Sequence, residues 1–261
     1  MDTDKILVKI EGQVAWLTFN APEKRNAICL EMWQGIGDAL ESFENNSDIR
    51  VVVLQGAGGK SFAAGADISE FDQHRGNAQQ KKEYGKISQR ANYWLKNLSK
   101  PLIAKIDGYC IGGGLAIALD ADIRFASSYS SFAIPAGRLG LGYEYEGLAK
   151  LAHIVGPACA RDILFSARRL DAQEALKIGL VNFVTDSLES DLSDYLERIV
   201  ANAPLTIKAA KLAVNYFENP NTKNTDYNEL KNAVNACFDS EDYREGRRAF
   251  SAKRLPKFVG N

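Results

Sequence analysis

Histidine is scarce in this chain: only His74 and His153 occur in 261 residues. A serine–histidine–acid triad or a histidine-rich metal centre has almost nothing to be built from. The four cysteines, Cys29, Cys110, Cys159 and Cys237, lie far apart and lack metal-knuckle spacing. They fit free thiols in a reducing cytoplasm better than a disulfide framework. No metal site is expected. An excess of charge of one sign is also missing, with Lys+Arg at 32 against Asp+Glu at 33. That balance leaves no basic footprint for nucleic acid or for an anionic membrane surface. No apolar run approaches the roughly 20 residues of a membrane span. The opening "MDTDKILVKI" is acidic and then alternating, unlike a secretory signal. The expected location is therefore cytoplasmic.

Hydrophobic residues nonetheless make up 46% of the chain, enough for a sizeable core in one large domain or a main domain with an appendage. The alternating "ILVKI" and "VAWLTF" predict two strands joined at Gly12 as a hairpin. Trp33, Ile36, Leu40 and Phe43 recur at helical spacing, as do Ile87, Ala91, Trp94, Leu95 and Leu98 before Pro101. Between these helices "VVVLQG" reads as a buried strand. "LIAKI", "IRFAS", "SFAI" and "LVNFV" are further strands, and "LAIALDA" is an apolar helix. Asp171 with Glu174 forms a capping box, and Gly179 ends that helix. Beyond Ser187 only helical patterns remain. The expected architecture is α/β, with a core over residues 1–200 and a helical tail over 201–261. Short strands alternating with helices predict parallel pairing, at a spacing too irregular for an eightfold barrel.

Several motifs fail on inspection. "GAGGKS" (56–61) suggests a phosphate loop, but the first glycine of that motif would have to fall at Leu54. The run Gly112, Gly113, Gly114 in "DGYCIGGGLAIALDADIRFA" survives. It is either a close-packed strand-to-helix turn or a turn that lets a ligand reach the backbone. The helix after it leaves its first N–H groups unpaired and dipole-positive, suited to an oxygen that becomes anionic in a reaction. "SFAAGADISEF" (61–71) offers a second such turn, with a helix start expected at Asp67. One N–H from each turn would make a two-donor oxyanion hole.

With these residues the chain resembles the crotonase superfamily, the enoyl-CoA hydratase/isomerase family. The resemblance runs through "NAPEKRNAI", "SFAAGADI", "KPLIAKIDGYCIGGG", "RLGLG", "DAQEALKIGLVN" and "DSEDYREGRRAFSAKR". It implies a crotonase-like spiral of β-β-α repeats with a C-terminal helical oligomerisation domain, assembled as a homotrimer or hexamer. It also implies a coenzyme A thioester as substrate, with coenzyme A as part of that substrate and no separate cofactor. By position, Ala66 and Gly113 supply the oxyanion N–H groups. Ala63 and Ala64 border the adenine, and Phe250 and Lys253 contact the nucleotide end of coenzyme A, often from a neighbouring subunit.

The chain departs from the hydratase pattern where it matters for chemistry. Ala116 and Ala136 stand where hydratases carry their two catalytic glutamates. Losing one general acid–base group typically costs about 10² to 10⁴ in rate, so hydration of crotonyl-CoA is expected to be weak. In "LGLGYEYEGLAK", Glu144 falls where some isomerase and dehalogenase relatives keep an acid. Tyr143 falls where a methylmalonyl-CoA decarboxylase relative carries a tyrosine. The resemblance thus implies a lyase or isomerase working through an enolate, or a malonyl-type decarboxylase, which needs no base. A catalytically silent acyl-CoA-binding protein is a third reading. RNA binding, found in one branch of the family, does not suit the balanced charge.

Overall fold

Alternation decides the first pair of strands. β1 (Ile6–Glu11) and β2 (Val14–Phe19) pair antiparallel, with Ile6 opposite Phe19 and Glu11 opposite Val14. Ala15, Leu17 and Phe19 all point into the core, the period-2 pattern of a strand. The computed structural model describes residues 4–67, 70, 77–218 and 227–261. The hairpin leads into α1 (Leu30–Asn45), whose buried stripe of Met32, Ile36, Ala39, Leu40 and Phe43 faces the same core.

Each later repeat places one strand in each of two sheets. β3 (Val51–Gly56), β5 (Leu102–Ile106), β7 (Ile123–Ser127) and β10 (Phe183–Thr185) extend the first sheet in the order β1-β2-β3-β5-β7-β10, parallel from β2 onward. β4 (Ser61–Ala63), β6 (Tyr109–Ile111) and β8 (Ser131–Ala133) form a second parallel set, with β9 (Leu170–Asp171) antiparallel at its edge. A helix follows each strand pair: α1, then α2 (Ala78–Asn97), α3 (Gly113–Asp120) and α4 (Tyr145–Ser166). This is a spiral of β-β-α repeats, as the resemblance implies.

The apolar run of β3 has a direct explanation. Val52 and Leu54 face the main core between sheets and helices, whereas Val51 and Val53 face a second layer. That layer is closed by α6 (Leu188–Val200), through Leu188, Leu192 and Leu196 at a spacing of four. A strand covered on both faces reads as a continuous hydrophobic run. α5 (Ala172–Lys177) carries both bonds of the expected capping box between Asp171 and Glu174.

The strand expected over "LVNFV" is shorter than the pattern predicts. Leu180 N–H and Val181 N–H both donate to Ala175 O at the end of α5, at 2.8 and 3.3 Å. Donors held by the helix end cannot enter a ladder, so β10 begins only at Phe183. The helix start expected at Asp67 runs into residues 68–69 and 71–76, which lie outside the described residues.

The tail continues as α7 (Pro204–Glu218), α8 (Tyr227–Asp239) and α9 (Glu241–Ser251). Leu205 and Leu212 are half-buried, but Val234 and Phe238 are exposed and Phe217 is 79% exposed. An apolar face therefore stays open on these helices. Among the described residues, no helix is long and apolar enough to cross a membrane.

Candidate active site

The first turn follows β4 and is held by residues 25–28. Ala64 N–H donates to Arg25 O at 3.0 Å, Ile28 N–H to Gly65 O at 2.7 Å, and Asp67 N–H to Ile28 O at 3.0 Å. Ile28 thus takes both neighbours of Ala66 in a parallel bridge. The N–H of Ala66 itself points to the opposite side. Asn26, fully buried at φ +56°, anchors this support. Its side chain accepts from Ala21 N–H and donates to Ala57 O and Ser61 O, at 3.0, 2.9 and 2.7 Å.

The second turn joins β6 to α3. Gly112 sits at φ +55°, ψ −117°, a backbone state that side chains with a Cβ avoid. Gly113 is the first residue of the helix, so its N–H belongs to the unpaired set at a helix N-terminus. Gly114 is required for packing: a Cβ there would lie 2.2 Å from Ala63 O. The two turns face each other closely. A Cβ placed on Gly113 would stand 3.6 Å from the Ala66 nitrogen, and one on Gly65 3.9 Å from the Gly113 nitrogen. Neither N–H donates to a backbone carbonyl among the described residues. Two donors of this kind can share one oxygen atom.

Tyr143 brings a polar side chain to this point. Its hydroxyl lies 3.4 Å from where a Gly112 Cβ would be. Glu144, the next residue, is exposed and serves as the N-cap position of α4 without a side-chain cap bond. Ala116 is partly accessible on α3, and Ala136 lies in the short helical turn Pro135–Leu139. Both offer only a methyl group.

Of the expected site residues, the fold brings Ala66, Gly113 and Tyr143 together. Ala63 is buried under Gly114, with Ala64 half-buried beside it. Phe250, 87% exposed, and Lys253 lie at the end of α9, which packs mainly on α8. Asn26 escaped the sequence reading. Its signal was the residue type, since asparagine tolerates positive φ and its short amide can bind nearby backbone.

"GAGGKS" forms a short turn and then β4, so no helix N-terminus follows to receive a phosphate. Burial pushes the Cys110 thiol up, away from a reactive thiolate. His153 is half-exposed, 3.8 Å from Glu218, and His74 lies outside the described residues. Among the described residues, no group of three His, Cys, Asp or Glu side chains could hold a metal ion.

Comparison with known proteins gives the family. The sequence pattern of the enoyl-CoA hydratase/isomerase family matches residues 9–261. The chain belongs to the enoyl-CoA hydratase/isomerase family. A short-chain-enoyl-CoA hydratase of Clostridium acetobutylicum is 35% identical over 97% of each chain. A methylmalonyl-CoA decarboxylase of Escherichia coli is 30% identical over 96% of each. The crystal structure of an enoyl-CoA hydratase/carnithine racemase from Magnetospirillum magneticum superposes with a TM-score of 0.94 at 37% identity, covering 100% of this chain and 97% of that one. Membership makes the chain an enzyme of the hydratase/isomerase family.

Proposed function

We propose that the chain binds an acyl-CoA thioester with its carbonyl oxygen between the N–H groups of Ala66 and Gly113, and reacts through the thioester enolate. The convergence of these two unpaired donors carries the proposal. Negative charge grows on that oxygen as the enolate forms, so the donors bind the transition state better than the ground state. The nucleotide end would lie along Ala63 and Ala64, with Phe250 and Lys253 supplied by a neighbouring copy. The open apolar face on α7 and α8 supports a closed symmetric trimer or hexamer of the cytoplasmic enzyme, with residues 201–261 as its assembly domain.

With alanine at 116 and 136, hydration lacks its usual acid and base. Proton handling falls to Tyr143 or Glu144. The position of the Tyr143 hydroxyl over Gly112 favours a second, narrower reading, decarboxylation of a malonyl-type thioester. There the bond between the α-carbon and the carboxylate breaks, and its electron pair enters the enolate as CO₂ leaves. A proton delivered from the tyrosine, which later regains one from water, then completes the product.

Parallel assays with crotonyl-CoA, 3-enoyl-CoA and methylmalonyl-CoA test both readings. Tyr143→Phe is expected to lower kcat by about 10² or more with thioester affinity nearly unchanged. A loss confined to Glu144→Gln would transfer the proton to Glu144. Binding of all three without turnover of any would leave only the silent-binding reading.

A further inference from the structure

α3 is an apolar helix except for its last residue. Leu115, Ile117, Ala118 and Leu119 are buried, and Gly114 packs on Ala63. The positions that stay accessible after Gly112 are Gly113, Ala116 and Asp120, spaced by three and then four. That spacing is a single stripe along one helix face. The stripe begins at the proposed oxyanion donor and ends at a carboxylate.

Asp120 has no evident structural reason to be there. It sits at the negative end of the helix dipole, where an anion is disfavoured. Among the described residues it makes no ion pair. Lys150, on α4, instead lies 4.0 Å from Glu218. Burial pushes the Asp120 carboxyl up from its usual range, opposed by the more distant charges of Lys150 and Lys96. A carboxylate that breaks local rules without a structural partner marks a position kept for function.

We infer that Asp120 closes the acyl end of the substrate groove and selects acyl groups carrying a hydrogen-bond donor, a hydroxyl or an ammonium, over plain hydrocarbon chains of the same length. The inference rests on the acyl-CoA reading above. Seven residues at about 1.5 Å each put Asp120 roughly 10 Å along the helix from Gly113. Its side chain leans back toward Ala116, over the turn before it. An extended acyl chain of about six carbons, fixed at its carbonyl by Gly113, covers more than half of that rise, and the terminal donor atom with the backward lean of the Asp120 side chain covers the rest. A hydrocarbon tip would strip water from the carboxylate and give nothing back, whereas a donor would replace the lost water.

Calorimetry on the full-length protein tests this with butyryl-CoA, hexanoyl-CoA, ω-hydroxyhexanoyl-CoA and ω-aminohexanoyl-CoA. The wild type should prefer the two donor-tipped thioesters over hexanoyl-CoA by about tenfold or more. Asp120→Leu should reverse that order while leaving butyryl-CoA, too short to reach, within about twofold. Asp120→Asn keeps the shape and one acceptor, so it should retain the hydroxyl preference and lose the ammonium preference. This variant also covers the case in which leucine fails to fold. Equal preferences in wild type and Asp120→Asn, with butyryl-CoA still bound, would overturn the role of Asp120 alone. Failure of every thioester to bind the folded wild type would overturn the acyl-CoA reading and this inference with it.

Discussion

Proline in place of Gly113 is expected to cut turnover by about 10² to 10³, the usual cost of deleting one oxyanion donor. Gly113 occupies the first position of α3, where proline is tolerated because its missing N–H has no helical partner. The preceding Gly112 has no Cβ to clash with the ring. The substitution removes one donor and puts the ring methylene where the amide hydrogen pointed, between turns that already face each other closely, so it blocks the place proposed for the thioester oxygen as well. Affinity for free coenzyme A, which lacks the thioester carbonyl, should stay close to wild type. Equal turnover in wild type and Gly113→Pro would show that the carbonyl oxygen binds elsewhere.

Alanine at Gly114 should act on the fold rather than on the chemistry. Its Cβ would lie 2.2 Å from Ala63 O and 2.7 Å from Ala63 Cβ, both on a strand that cannot easily retreat. Overpacking of this severity costs about 3 kcal/mol or more, which lowers the thermal midpoint of a chain this size by roughly 6 °C or more. Gly147→Ala supplies the contrast. That residue lies in α4 with open space around it, so alanine should be neutral or stabilising by about 0.5 to 1 kcal/mol. Similar midpoints for the two variants would contradict the packing assigned to Gly114.

Patterns local in sequence are legible in the sequence alone. The hairpin around Gly12, the stripe of α1 and the Asp171 capping box each depend on neighbours a few residues away. The division into two sheets was not legible from periodicity. β4, β6 and β8 are only three residues long, and their pairing joins residues as far apart as Ser61 and Tyr109. Leu180 and Val181 look like strand residues, yet their N–H groups are held by Ala175. At the site, the glycines declared themselves because few other reasons favour three in a row. Asn26 did not, because its three bonds go to backbone groups that only the folded loop assembles. Tyr143 and Glu144 are adjacent in sequence, and only the fold shows that the phenol stands over Gly112.

In the proposed function the Ala66 and Gly113 N–H groups hold the thioester oxygen and stabilise charge on it. Acetoacetyl-CoA tests this directly, because its enolate absorbs in the near ultraviolet and its keto form does not. Titrated into the protein at fixed pH, it should show saturable growth of the enolate band, and Gly113→Pro should bind it with little or no such growth. Saturable binding to the wild type with the enolate fraction unchanged from free solution would contradict the account.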